Sequence, residues 1–281
     1  MEARACGTGP ILAAHLLRRV DKKLIELLAE LEPREWDLPT VAARWTVRDV
    51  AAHLLDTPLR KLSMARDSCF VERAEIRSPR DLVDLVNRVN HEGVAVYRRL
   101  SPQVLIALMT FACDASARYH ESLDPFAPAK FAVSWAGEEI SPNWFDTARE
   151  LTERWHHQQQ IRMATNRPGI MVPELYHPVL DCFLRALPHR YRDLSAPPGA
   201  AIQFRLSGEC GGDWFLMRGN GGWEFAAEPI KEPATILRVP QEMAWRLFTK
   251  GVSLEIARAQ VEIAGDPSLA EPIFDVVAVI G

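Results

Sequence analysis

The sequence contains one stretch with all the features of a long helix, SPNWFDTARELTERWHHQQQIR, at residues 141–162. Ser141 stands at the predicted N-cap, and Pro142 follows at the first helical position. The helix is predicted to end near Asn166, just ahead of a Pro-Gly pair. The rest of the chain is interpreted around this helix.

Glu153 and His157 are four residues apart within the stretch. Residues with this spacing lie one above the other on the same helical face. A carboxylate and an imidazole placed in this way can bind one divalent cation from one side. The same spacing is also common in exposed ion pairs, so it indicates at most half of a metal site, which needs a further ligand from elsewhere.

The composition is that of an ordinary globular protein. Of the 281 residues, 48% are hydrophobic and 25% are charged, with a formal net charge of −4. This charge gives no electrostatic basis for binding nucleic acid, and no apolar run reaches the roughly 18 residues of a membrane span. The N-terminus also lacks the pattern of a signal peptide. We therefore expect a cytoplasmic protein with neither nucleic acid nor membrane as a partner.

The five cysteines are odd in number and scattered, and no Cys-x-x-Cys motif is present. This pattern is typical of reduced thiols and predicts neither a disulfide framework nor a thiolate zinc site.

Apolar periodicity predicts helices at residues 11–31, 46–66, 78–99, 101–122 and 173–192 in addition to the central one. Alternating patterns then predict strands at 201–206, 214–218, 223–225, 234–239 and 259–264, with helices at 240–250 and after Asp266. Strands that follow a run of helices indicate two domains, an all-α domain at 1–195 and an α+β domain at 196–281.

His53 is the best candidate for the missing ligand. It lies in the apolar run Val50-Ala-Ala-His-Leu-Leu, early on the second predicted helix. A histidine on an apolar face needs a partner for its ring nitrogens. That partner is either a backbone carbonyl in the core or a metal ion shared with Glu153 and His157. A His/Glu/His set would suit zinc or another borderline divalent metal.

The motifs resemble those of a known family. The segment RWTVRDVAAHL at residues 44–54 is similar to the "gWtvrdvvaHl" signature of the mycothiol-dependent maleylpyruvate isomerase family, which belongs to the DinB-like metal-binding bundles. The segment ERWHHQQQIR at 153–162 resembles that family's E-x-x-x-H-x-Q-D-I-R helix. The pattern from residue 187 to residue 248 is similar to the family's linker and small sterol-carrier-protein-like domain.

The resemblance implies a DinB-like four-helix bundle followed by a sterol-carrier-protein-like α+β domain. It implies His53, Glu153 and His157 as metal ligands, since the spacing to the Ile-Arg pair selects His157 over its neighbour. It makes Gln160 and Arg162 candidates for binding the thiol cofactor. Gln160 stands where the family usually has Asp, which puts the identity of that cofactor in question.

The implied function is that of a metal-dependent enzyme, with zinc as the expected metal and nickel as the alternative. It would use a low-molecular-weight thiol of the mycothiol type as an S-transferase or cis–trans isomerase on a small electrophile such as maleylpyruvate. One alternative is a metal-binding stress or regulatory module without catalysis, and another is a protein that binds an apolar ligand in its second domain. The sequence does not indicate an oligomeric state.

The aromatic neighbours of the motifs have simpler interpretations. His156 is expected on the helix surface or beside a ligand. Trp45, Trp144 and Trp155 are interpreted as packing residues, with Trp155 pointing away from the site face, and a place in the wall of a pocket is the alternative for any of them. The remaining histidines have no motif context and are expected to be structural.

Overall fold

The computed structural model describes residues 7–42, 44–70 and 75–279. The chain divides into two compact units. The helical unit consists of Leu12–Phe131 and Pro142–Ile170. The sheet unit consists of Ala132–Ser141 and Met171–Val279, together with the described residues up to Ile11. An N-terminal helical part followed by a mixed α/β part was predicted from the sequence, and this coarse division is confirmed.

The helical unit contains five long helices, and their bounds agree with the predicted ones to within about four residues except where a helix changes type. They are α1 (Ala14–Glu30), α2 (Val47–Lys61), α3 (Pro79–Tyr97), α4 (Pro102–Glu121) and α5 (Asn143–Thr165). A single turn of π-helix, Leu62–Arg66, continues α2.

Packing within this unit surrounds α5 and α2 with apolar side chains. Helix α1 contacts α4 and α5, and α2 contacts α3, α4 and α5. The apolar core includes Leu24 and Leu28 of α1, Val50 of α2, Met109 of α4 and Ile161 of α5. Each fully buried side chain of this size stabilises the fold by about 1.5–3 kcal/mol. The two helices that carry the predicted metal ligands are therefore in direct contact.

Helix α5 also carries buried charges, and several of them form ion pairs. Lys61 of α2 donates to Asp146 at 2.5 Å. Arg154 pairs with Asp21 of α1 and donates to Ser116 of α4 at 2.7 Å. Because an unpaired charge in the core would cost several kcal/mol, these pairs fix the rotation of α5 about its axis as well as its position.

The N-terminus of α5 corrects one prediction. Its N-cap is Pro142, and Ser141 does not cap it. The Ser141 hydroxyl instead accepts a hydrogen bond from the Val133 amide at 2.8 Å. The first amides of α5 are satisfied by the preceding loop, since Asn143 donates to Ala127 O at 2.9 Å. At the other end, Asn166 adopts the left-handed conformation with φ 52°, so the predicted end of the helix is confirmed.

The sheet unit is built on five strands in the order β3-β2-β1-β4-β5. They are β1 (Ala201–Ser207), β2 (Gly212–Arg218), β3 (Trp223–Phe225), β4 (Thr235–Pro240) and β5 (Glu262–Gly265). The central strand β1 is antiparallel to β2 and parallel to β4. A glycine-rich hairpin joins β2 to β3, and Gly219 donates to Gly222 O at 2.8 Å within it.

Four helices accompany the sheet: α6 (Pro173–Leu184), α7 (Leu187–Tyr191), α8 (Gln241–Phe248) and α9 (Leu254–Gln260). The predicted single helix at 173–192 is thus two helices. The strand predicted from residue 259 starts later because α9 occupies its beginning, and the helix predicted after Asp266 is replaced by short 3-10 turns, Pro267–Leu269 and Glu271–Asp275.

The division into compact units places α6 and α7 with the sheet. The Tyr176 hydroxyl of α6 donates to Gln241 O at 2.6 Å, and Tyr191 of α7 packs edge-on against Phe204 of β1. The domain boundary at residue 195 remains a prediction about independent folding, and the DinB-like bundle and sterol-carrier-like labels also remain predictions. Among the described residues, no helix is both long and apolar enough to cross a membrane.

Candidate metal centre

His53 lies on the buried side of α2. The helix starts with a capping box, in which the Thr46 backbone amide donates to the Asp49 carboxylate at 3.0 Å and the Asp49 amide donates back to the Thr46 hydroxyl. The His53 ring is buried, and its Nδ1 has no hydrogen-bond partner in the described structure. Burial is the main reason that the pKa of His53 is well below its ordinary value, so the ring is neutral and its lone pair is available.

Glu153 and His157 face each other one turn apart on α5. His157 Nε2 lies 3.5 Å from Glu153 Oε2. Burial opposes ionisation of Glu153, but its contact with His157 and the positive charge of Arg149 hold the pKa of this carboxyl well below its usual range. Glu153 is therefore an anionic donor at neutral pH.

The fold brings these three residues together from two helices. His53, Glu153 and His157 each offer one ligand atom, and these atoms all lie within 4.8 Å of one another. The rings of His53 and His157 meet edge-on with centroids 4.6 Å apart. Two imidazoles and one carboxylate, with an unpartnered nitrogen among them, fit the donor set that zinc and similar divalent ions prefer. The structure thus brings together the three residues that the sequence singled out, and the group could hold a metal ion, while their role as ligands stays a prediction.

Gln160 orients His157. Its side-chain Oε1 lies 2.9 Å from His157 Nδ1, and this contact fits an Nδ1–H donor. The other nitrogen, Nε2, is thereby left as the acceptor that faces Glu153. Metal-binding histidines commonly have such a partner on the second nitrogen, which fixes the tautomer and the ring orientation. Gln160 supplies this contact with a neutral amide where the resemblance leads one to expect a carboxylate.

His156 differs from His157 in the hydrogen-bond partner of its ring nitrogen Nδ1. It is buried, so of the two expected positions the helix surface is wrong, whereas the position beside a ligand residue agrees with the structure. Its Nδ1 bonds to Thr152 O at 2.8 Å. Burial lowers the pKa of His156 to about 3. Its ring packs against His157 with centroids 3.9 Å apart, which limits the rotation of the ligand ring.

Trp45 has a role that packing arguments from the sequence did not reveal. Its ring lies 4.9 Å from the ring of His53 and 6.0 Å from that of His157. It therefore forms an apolar wall beside both imidazoles. The only sequence signal was its place directly before the capping box of α2. Trp155 is buried and donates to Ile170 O at 3.0 Å, which confirms its packing role.

Arg162 is tied to the backbone at the end of α5. Its guanidinium donates to Arg167 O, Pro168 O and Lys23 O at 2.9–3.1 Å. These contacts join the C-terminus of α5 to the following loop and to α1. The role of Arg162 in binding a cofactor stays a prediction, as does that of Gln160.

The described structure contains a second buried histidine that the metal group does not include. His120 of α4 has Nδ1 3.0 Å from the Thr147 hydroxyl. Burial lowers the pKa of His120 to about 4. Its predicted structural role agrees with this environment.

This geometry defines a class of protein. Its members have a helical domain with a His/Glu/His group between two of the helices. The sequence profile described as "Mycothiol maleylpyruvate isomerase N-terminal domain" matches residues 17–162, which is more than half of the chain and includes all three residues of the group. The chain belongs to the mycothiol-dependent maleylpyruvate isomerase family.

Two solved structures share the fold along nearly the whole length. A crystal structure of a histidine-to-alanine mutant of mycothiol-dependent maleylpyruvate isomerase covers 89% of this chain and 91% of its own, with a TM-score of 0.54 and 12% identity. A second crystal structure of mycothiol-dependent maleylpyruvate isomerase covers 83% and 86%, with a TM-score of 0.51 and 12% identity. No curated protein matches the sequence significantly.

Proposed function

We propose that this protein is a metal-dependent enzyme that uses a low-molecular-weight thiol of the mycothiol type to isomerise a small unsaturated acid such as maleylpyruvate. The observation that carries the proposal is the convergence of His53, Glu153 and His157 from α2 and α5. Three protein ligands leave coordination positions open, which is typical of catalytic rather than structural sites. The family membership supports the same activity.

The side chains of the site have separate tasks in this scheme. His53, Glu153 and His157 hold the metal, with zinc as the proposed ion and nickel as the alternative. When bound, such an ion lowers the pKa of a coordinating thiol and keeps it as the nucleophilic thiolate at neutral pH. Gln160 keeps His157 in the required tautomer through the 2.9 Å contact. Trp45 excludes water from one side of the imidazoles.

The proposed reaction conserves the thiol. An electron pair of the thiolate sulfur forms a bond to one alkene carbon, while the π electrons of the double bond move onto the conjugated carbonyl oxygen. The former double bond is now single and rotates. The electron pair on the oxygen then re-forms the carbonyl and the carbon–carbon double bond, now in the trans form. The carbon–sulfur bond breaks, and its electron pair leaves with the thiolate. Protonation of the adduct at carbon, without elimination, would instead give an S-transferase.

The proposed partners of the enzyme are a small thiol and a small electrophile. The proposed location is the cytoplasm, where such thiols are kept reduced.

The test is a measurement of metal content followed by a thiol-dependent assay. The purified protein should contain close to one divalent metal ion per chain and convert maleylpyruvate to its trans isomer with mycothiol. The His157→Ala variant, with lower metal content, should lose this activity. Full metal content without turnover of maleylpyruvate by any small thiol would contradict the proposal and favour a non-catalytic metal-binding module.

A further inference from the structure

Helix α5 is buried along almost all of its length, and the accessible residues between its two ends form one strip. Between residues 145 and 162 every described side chain is buried except those of Arg149 and Glu153. The side chains of Arg149, Glu153 and His157 have exposed fractions of 21%, 22% and 11%. Their spacing of four residues places them on one helical face. We call these three residues the open strip; it is the side from which a small molecule can approach Glu153 and His157 on this helix.

Arg149 is held rigidly at the end of the open strip. Its Nε and Nη2 donate to Asp146 Oδ1 at 3.2 and 2.7 Å, and Nη2 lies 3.7 Å from Glu150 Oε2. Asp146 is fixed in turn by Lys61, which donates to its other oxygen. In the part of the chain that the structure describes, Arg149 Nη1 donates no hydrogen bond. The guanidinium is thus oriented before any ligand arrives and retains a free donor.

The charge balance around the strip favours an anionic ligand. Lys61, Arg149 and Arg154 face Asp21, Asp146 and Glu150, so three positive charges are paired with three negative ones. Glu153 adds a single negative charge, and imidazoles that coordinate a metal are uncharged. A divalent ion on this group would leave the site with a net charge of +1. In a partly buried site this excess charge would attract an anion strongly.

The geometry points to Arg149 as the residue that binds a carboxylate of the substrate, one helical turn from the metal ligands. An arginine fork recognises carboxylates by directed hydrogen bonds, which a point charge does not provide. The inference rests on the proposed function for the identity of the substrate, a small acid with an electrophilic double bond. It adds that a carboxylate of this acid lies against Arg149 and sets the position of the double bond along the open strip.

The test uses the metal-loaded protein without thiol and the probe maleate, with neutral maleamide as the uncharged comparison. Calorimetric titration of the wild type should show maleate binding at least tenfold tighter than maleamide. Arg149→Gln should weaken maleate binding by about 10- to 100-fold, the range expected for hydrogen bonds to a charged group. Binding of maleamide and the metal content should stay unchanged, and Arg149→Lys should recover part of the affinity.

Arg118→Gln is the matched control, because Arg118 also pairs with an aspartate one turn earlier on its own helix but is far more exposed. It should bind maleate as the wild type does. Unchanged maleate affinity in Arg149→Gln would overturn the inference. If that variant does not fold, equal binding of maleate and maleamide by the wild type would overturn it instead. Absence of thiol-dependent turnover would contradict the proposed function alone, since these titrations contain no thiol.

Discussion

His156 and His157 are adjacent in the sequence, yet their ring nitrogens have different partners. His156 Nδ1 is engaged by the backbone of its own helix, at Thr152 O. His157 Nδ1 is engaged by Gln160, which leaves Nε2 toward Glu153. One residue of helical rotation, about 100°, therefore separates a packing histidine from a candidate ligand.

This difference predicts the outcome of alanine variants. His157→Ala and His53→Ala should each lose stoichiometric metal, because two remaining ligands hold a divalent ion poorly. His156→Ala should retain it, although its lost packing should lower stability. Elemental analysis after dialysis against a weak chelator measures the metal per chain. Metal loss in His156→Ala with retention in His157→Ala would mean that the assignment is wrong by one residue.

A second prediction concerns Gln160. Replacing it with Asp should increase metal affinity, because a charged acceptor on Nδ1 makes the His157 ring a stronger donor. Such partners typically change affinity by about 10–100-fold, and we expect the low end because the amide already accepts. Competition with a chromophoric chelator at neutral pH measures the change. Gln160→Leu, which cannot accept, should bind metal more weakly than the wild type. Equal affinities in all three proteins would exclude a supporting role for this position.

At the scale of elements, α5 is held to α1 by a buried ion pair. Arg154→Met should destabilise the fold by about 3–5 kcal/mol, because it leaves the Asp21 carboxylate buried without its partner. Urea unfolding gives the difference in free energy. Arg118→Met, at an exposed ion pair of α4, should cost at most about 1 kcal/mol. A cost for Arg154→Met as small as that of the control would show that Asp21 is accommodated by other groups.

The same ion pair is an example of a feature that the sequence alone could not predict, because its two residues are distant in the chain. Helices α1 to α4 follow from the spacing of residues such as Leu24 and Met109, because an apolar stripe is a local signal. Helix α5 buries charges such as Arg154, which local reasoning places at the surface. Their partners lie as many as 133 positions away in the chain, and no local pattern reveals them.

The residues of the metal group also differ in how far the sequence alone could predict them. Glu153 and His157 could be paired from their spacing alone, since one helix brings them together. His53 is a hundred residues away, and only the resemblance selected it over a core histidine. The contact of Trp45 with both rings and the burial of His156 depend on tertiary packing, so the sequence could only offer them as alternatives.

At the scale of the whole molecule, the buried histidines make stability depend on pH. The pKa is lowered to about 4 for His120 and to about 3 for His156, whereas unfolded histidine titrates near 6.5. Below about pH 6.5 the unfolded chain therefore binds more protons than the folded one, so stability falls as pH falls. By pH 5 each histidine should contribute a loss of about 2 kcal/mol.

Urea denaturation of the metal-free protein at several pH values between 7 and 5 measures this dependence. His120→Gln should reduce the slope by about one proton. Burial raises the pKa of Asp21, so this carboxyl also affects the slope, but it does so in both proteins, and the difference between the two slopes reports His120. An unchanged slope in His120→Gln would show that the histidine is not neutral in the folded protein.

The buried pairing of Asp21 with Arg154 also restricts which substitutions these two positions can accept during evolution. Replacing Arg154 alone leaves the Asp21 carboxylate in the core without its partner, and replacing Asp21 alone leaves Arg154 with Glu150 at 3.8 Å. Replacing both with apolar residues of similar volume can be neutral. A mutational path that begins at Arg154 therefore passes through a poorly folded protein. Among natural relatives we expect the two positions to change together or not at all, so that they covary although they are distant in the chain. Sequence changes at position 154 of α5 would then be accompanied by changes at position 21 of α1.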